Sequence, residues 1–308
     1  SVDNLYFNLT NINATTTKGD ISKFIATDSL SINLPAKINA VASAKGTLND
    51  ITTTAKITTT QGVATINGSV KNSETIAFNT TVEIEEYNLG ELLQNSSLGT
   101  LTLSLKGQGS GKTINTLDAN LEANITSLAY NEYAIKDLKI TSKIKDGKGT
   151  LLSTYKDNNL NAKLTGLVAL DSIAPEATIN LDLIGADLQA LGLMQRDVRT
   201  GFKLTSTFKG NATTYDVTAV MDDGVIVYDD RTYLIGNLEG SARVRPDSTS
   251  VQFDNKLLNL DLRSNSDPSR IATTLQDHVN SYFYRDVILK DTIVNPVNLV
   301  LKGKVRQS

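Results

Sequence analysis

Apolar and polar residues alternate with a period of two along almost the whole chain, and this restricts what it can become more than any other feature. FNTTVEI sets Phe78, Thr80, Val82 and Ile84 against Asn79, Thr81 and Glu83. LTLSLK repeats the pattern with Leu101, Leu103 and Leu105, and LDANLEANI with Leu117, Ala119, Leu121, Ala123 and Ile125. In LKITSKIK the apolar side holds Leu138, Ile140 and Ile144. INLDL, FKLTSTF and LLNLDLR continue it with Leu181 and Leu183, with Phe202, Leu204 and Phe208, and with Leu258, Leu260 and Leu262. Successive side chains of a strand point to opposite faces, so each segment reads as a strand with one greasy and one soluble face. Asp146-Gly147-Lys148-Gly149, Asp157-Asn158-Asn159 and Asp222-Asp223-Gly224 read as turns between such strands. The expected fold class is all-β and antiparallel.

Helical signals are few. YNLGELLQN and ADLQALGLMQ each have room for two turns, with Leu89, Leu92 and Leu93, then Leu188, Leu191 and Met194, as their apolar sides. FIATDSL, near residue 27, is weaker. The best longer candidate is DPSRIATTLQDHVNSYF, where Asp267 suits the cap, Pro268 the first position, and Ile271, Leu275, Val279 and Tyr282 share a face. These helices are too short and too few to cover so many strands. From the residues alone, the apolar faces either close on a second sheet as a sandwich or barrel, or stay open to bind something greasy.

An internal repeat organises the chain. YNEYAIKDL at Tyr130 returns as YDDRTYLIGNL at Tyr228, and Leu160-Asn161 returns as Leu258-Asn259, a displacement of 98 positions in both cases. A duplicated unit of this size points to an array. The paired tyrosines Tyr130/Tyr133 and Tyr228/Tyr233 travel with the repeat and are expected to pack at its turns.

The one apparent catalytic signature is GQGSGKT, residues 107–113. A phosphate loop needs a glycine five residues before its Gly-Lys-Thr, and that position is Lys106. The loop must also open a helix, whereas an alternating strand follows. The segment is therefore expected to be a flexible connection between two strands. His278 stands without cysteine or a second histidine, which makes a poor metal site. Asp222-Asp223 and Asp229-Asp230 lack the spacing of a calcium loop and suit turns or hairpin ends. Glu83, Glu85 and Glu86 fit a solvated strand face. No nucleophile, base or ligand set assembles, so no cofactor, no metal and no enzymatic activity are expected.

Composition narrows the partners. A pI near 5.3 with scattered lysines offers no basic face, so nucleic acid is not an expected partner. There is no cysteine to staple the fold, and no apolar run of membrane-spanning length. The strand-like pattern starts at Ser1, and the sequence reads as a piece of something longer.

The order of elements carries a resemblance. LPAKINAVASAKGTLNDITTTAKITTTQGVATINGSVKN, then YNLGELLQN, LGTLTLSLKGQG and LDANLEANITSLAYNEYAIKDLKITSKIKDG, resembles the periplasmic portion of TamB-like proteins of the AsmA-like group, in the Asn/Thr/Lys-rich style of Bacteroidota. The similarity spans most of residues 30–265 and rests on repeat cadence and phrases such as Y-N-L-G-x-L-L. It implies an elongated, curled antiparallel sheet whose concave face is an open hydrophobic groove, lined by the twenty Phe, Val, Ile and Leu residues named above in the strand segments, from Phe78 to Leu262. The internal repeat divides the chain into an N-terminal β segment (1–85), two β repeats (86–185 and 186–266) and a C-terminal helix with a terminal strand (267–308). The resemblance further implies a non-enzymatic periplasmic conduit that carries phospholipid acyl chains and supports outer-membrane protein assembly. The implied partners are an inner-membrane anchor and an Omp85-type outer-membrane barrel, both lying outside this sequence. The alternative is a structural or adhesive surface protein built of β-sandwich repeats.

Overall fold

A computed structural model describes residues 5–23, 32–131, 133–283 and 296–306, with side chains of the last helix through residue 279. The first strands are β1 (Phe7–Thr17), β2 (Lys37–Thr47), β3 (Asp50–Thr59), β4 (Val63–Asn72), β5 (Ile76–Asn88) and β6 (Leu98–Gly111). The middle set is β7 (Asp118–Tyr130), β8 (Tyr133–Lys145), β9 (Lys148–Lys156), β10 (Leu160–Ala169), β11 (Glu176–Asp187) and β12 (Val198–Gly210). The last are β13 (Tyr215–Tyr228), β14 (Arg231–Arg245), β15 (Ser248–Asn255), β16 (Leu258–Ser264) and β17 (Leu299–Val305). Together they form one 17-stranded antiparallel sheet in which each strand pairs with its sequence neighbours. The sheet is an uninterrupted meander, and no ladder joins β1 to β17 among the described residues.

Two-residue hairpins match the sheet's twist when both central residues take positive φ. Asp146 (φ 48°) and Gly147 (67°) do this between β8 and β9, and Asp229 (51°) and Asp230 (54°) between β13 and β14. The expected turn at Asp222-Asp223-Gly224 does not form. These residues lie inside β13 as a bulge, with the register shifting between Met221 and Gly224 and Asp223 at φ 55°. Glu85 and Glu86 form the equivalent bulge in β5 before the strand resumes at Tyr87, so that strand runs on to Asn88. Each bulge admits one residue in an αL conformation, which Asp and Asn tolerate best, and adds local twist.

The helices are α1 (Lys18–Ile21), α2 (Leu89–Leu93) and α3 (Pro268–Phe283). α1 was not foreseen; it is a single turn held by a capping box between Thr17 and Asp20. FIATDSL lies outside the described residues. ADLQALGLMQ makes no helix. Ala186 and Asp187 still belong to β11, Asp187 caps the amides of Gln189 and Ala190, and Gly192 at φ 68° ends the turn at once. α3 begins where the sequence places it, with Asp267 Oδ1 accepting from the Arg270 amide at 3.0 Å.

The hundred-residue repeat is visible as architecture. β5–β10 and β11–β16 each run through a bulged strand, a leucine-bearing connection, one long strand, two more that meet at a tyrosine hairpin, and two further strands. Boundaries at 85/86 and 185/186 fall on the bulges of β5 and β11, and the sheet continues through both.

Candidate functional site: an uncharged concave face

The pairing register carries single rows of side chains across the whole sheet. One row, with one residue per strand, begins Phe7, Gly46, Ile51, Val70, Phe78 and Gly109. It continues through Ala119, Ile144, Gly149, Val168, Ala177 and Phe208. It ends in Val217, Ala242, Val251, Leu262 and Leu301. All 17 strands thus contribute an apolar residue or glycine to this row. A parallel row holds Val82, Leu105, Ala123, Ile140, Leu164, Leu181, Leu204, Met221 and Leu238, broken only by the small polar Ser153. Neither stretch carries a charge.

This face is concave. Thr53 is half-buried while Thr52 and Thr54 beside it in β3 are exposed, although all three are the same size. The difference runs along the whole strand, Ile51, Thr53, Ala55 and Ile57 being half-buried and Asp50, Thr52, Thr54, Lys56 and Thr58 exposed, as on the inner and outer sides of a curled sheet. A second layer is absent among the described residues: no large side chain is fully buried, and the apolar core proper is confined to Leu101, Ala119, Ala186, Leu191, Val198 and Val244. A closed sandwich would bury residues such as Leu103, Leu204 and Leu260 completely, yet each is only half-buried. The closed-core alternative therefore does not form, and the antiparallel sheet stays open as a groove.

Two glycines permit the curl. A Cβ on Gly109 would meet Asp118 O at 2.5 Å, Ala119 Cβ at 2.9 Å and Phe78 Cε1 at 3.0 Å; one on Gly107 would meet Leu121 Cδ2 at 3.0 Å. Phe78 covers backbone that no side chain could occupy. This corrects the reading of GQGSGKT: Gly107–Gly111 continue β6, and the connection comes later, at residues 112–117, around a 3-10 turn at Ile114–Thr116. No helix follows to receive a phosphate.

Of the twenty expected lining residues, Leu117 alone stands outside a strand, at the end of that 3-10 turn just before β7. The others lie in β5–β8, β11, β12 and β16, and the pairing register puts them on the concave face. Leu101 is buried, at the end of β6 that packs with α2. The lining the sequence reading missed is mainly in β1–β4, where Ile12, Ala42, Ala55 and Ile66 make the corresponding row. The alternation is there, as Ile51, Thr53, Ala55 and Ile57 show, but Ala and Thr give weak contrast with their neighbours. Leu151, Leu164, Phe253 and Met221 were missed as well.

Charges sit on the convex face and at the sheet's ends. Lys139 pairs with Glu122 at 2.8 Å, Lys203 with the bulge residue Asp223 at 2.9 Å, and Arg243 and Arg245 both with Asp216 at 3.0 Å. The hydrogen bonds from Arg245 and Arg243 hold the Asp216 carboxyl below its ordinary range. Such exposed, water-screened pairs add little to stability and mainly keep this face in water. At the hairpin ends, the Tyr133 and Tyr155 hydroxyls both donate to Asp157, whose other oxygen caps the amides of Asn159 and Leu160. Burial, then the bond to Asp157, pushes the Tyr133 phenol up, so it stays a neutral donor. Tyr133 thus serves the turn, whereas its repeat counterpart Tyr233 is exposed. No group of three or more potential metal ligands occurs among the described residues. No known protein family, curated protein or solved structure matches this chain.

Proposed function

We infer that the protein is a non-enzymatic, periplasmic lipid conduit of the TamB-like kind, whose concave face carries acyl chains between membranes and supports outer-membrane biogenesis. The observation that carries this reading is the uncharged apolar row crossing every strand with no layer over it among the described residues. Each methylene of an acyl chain moved from water onto such a face contributes ~0.8 kcal/mol, so a handful suffice for retention. Because the row repeats without a polar anchor, neighbouring positions hold a chain almost equally well, and lipid slides along the groove with small barriers. Headgroups remain in water at the groove's mouth. No chemical step is required of any residue, and neither cofactor nor nucleic acid has a role. In the full assembly the conduit is anchored at the inner membrane and meets an Omp85-type barrel at the outer one.

Native mass spectrometry of the protein purified from bacteria tests this, with organic extraction and a Leu103→Glu/Leu260→Glu comparison. Co-purified phospholipid that disappears from a variant with unchanged circular dichroism is the expected result. A lipid-free parent protein would remove the reading.

A further inference from the structure

Two apolar surfaces in this chain lack a partner among the described residues: the concave face, and one side of α3. Ile271, Leu275 and Val279 recur every four residues along α3, and Leu275 and Val279 are 49% and 44% exposed. A lone helix of this length is marginal in water, so an amphipathic one draws its stability from whatever covers its stripe.

The root of α3 indicates what that is. Thr249 Oγ1 donates to the carbonyl of Ser266 at 2.7 Å, and both residues are buried. Thr249 belongs to an inward-facing row with Val244 and Ser264, on the same face as Val251 and Leu262. The chain leaving β16 therefore turns onto the concave side before the helix begins. Asn265 fastens the base of the excursion, its Nδ2 donating to Pro296 O at 3.0 Å and its Oδ1 accepting from the Asn298 amide at 2.7 Å. The helix is tethered at the groove's end, on the groove's side.

We propose that α3 is a lid for the groove: it swings about Asp267 to lay Ile271, Leu275 and Val279 over the inward residues Leu238, Phe253, Leu260 and Leu301, and acyl chains compete with it for that surface. At 1.5 Å per residue the helix is about 24 Å long, enough to cross about five strands spaced ~4.8 Å apart. Its tether gives it an effective concentration near millimolar, so a weak intrinsic contact still closes the lid. The competition rests on the lipid reading above; the docking itself does not.

The chain has no cysteine, so introduced pairs report without background. Leu275→Cys is combined with Leu260→Cys on the concave face, or with Asp261→Cys, its neighbour on the convex face, and each is oxidised without lipid. The Leu260 pair should cross-link at least tenfold faster, and saturating cis-parinaric acid should slow it severalfold. Equal rates for the two pairs, or no cross-link, would overturn the lid. A fast cross-link in a protein that binds no cis-parinaric acid would keep the lid and reject the lipid reading. A fast cross-link unaltered by cis-parinaric acid that does bind would overturn the competition. Leu275→Ser/Val279→Ser, which leaves the sheet intact, should bind cis-parinaric acid about tenfold more tightly. Weaker binding would instead make α3 a lipid-contacting element and refute its role as a competitor.

Discussion

Replacing Gly109 by alanine tests whether the concave face is as tightly curled as the side-chain rows imply. The new Cβ would lie 2.5 Å from Asp118 O and 2.9 Å from Ala119 Cβ, both inside contact distance, with Phe78 Cε1 at 3.0 Å. Phe78 can tilt, but Asp118 O is backbone of the neighbouring strand, so β6 and β7 must separate locally. Overpacking of this kind costs about 1–3 kcal/mol. Gly185 is the control: it lies in β11 with nothing within 4 Å of its would-be Cβ and no positive φ. Alanine there restricts only the unfolded chain and stabilises by about 0.4–1 kcal/mol. A repeat array need not unfold in one step, so the local probe of choice is hydrogen–deuterium exchange with peptide resolution. Gly109→Ala should accelerate exchange in β6 and β7 by about 5- to 150-fold, the equivalent of that cost, and leave β13–β16 unchanged. Unaltered protection in β6 and β7, or an equal loss from Gly185→Ala, would refute the argument that close approach on this face demands glycine.

Other expectations follow from the same geometry. Gly236→Ala has open space around its Cβ but a φ of 74°, so it should destabilise β13 and β14 by about 1 kcal/mol through backbone strain alone, read as faster exchange there. Removing the cap with Asp267→Ala should cost α3 about 1 kcal/mol and raise exchange in its first turn, with the sheet unaffected. Acid should act through the carboxylates. In Asp157, burial pushes the pKa up, but hydrogen bonds from Tyr133 and the amides of Asn159 and Leu160 outweigh it; Asp171 is lowered by the amides of Ala174 and Ile173, and Asp216 by Arg245 and Arg243. Groups with lowered folded values stabilise fully above their ordinary 3.8 and lose that contribution as pH falls through the lowered values. The urea midpoint should therefore not respond to these groups from neutrality to about pH 4 and should drop below it; an unchanged midpoint at pH 2 would show that these bonds carry no stability.

Much of this architecture was legible because a period of two survives any tertiary context: a residue's face follows from its parity, and Leu101 to Leu105 or Leu258 to Leu262 announce theirs. The expected misplacements occur where parity slips. Asp222-Asp223-Gly224 has the composition of a turn, and composition alone does not separate a turn from a bulge, since both ask for a residue at positive φ. GQGSG looks like a loop because its glycines are read as freedom, whereas Gly107 and Gly109 mark a crowded place. α1 was invisible because a single capped turn has no periodicity. Whether the apolar faces close on each other was not legible from the residues, because Leu and Val alternate in the same way in a sandwich and in an open groove. That choice lies in the sheet's curvature, which is spread over many small twists and bulges.

The strictly sequential pairing of the strands also bears on how the chain is made. Every ladder joins neighbours in sequence, so most pairings close only a short connection, and the excursion through α3 is the longest closure between paired strands. Each new hairpin adds to an edge its predecessor has already formed, so the sheet grows by local steps with no need to wait for a distant segment.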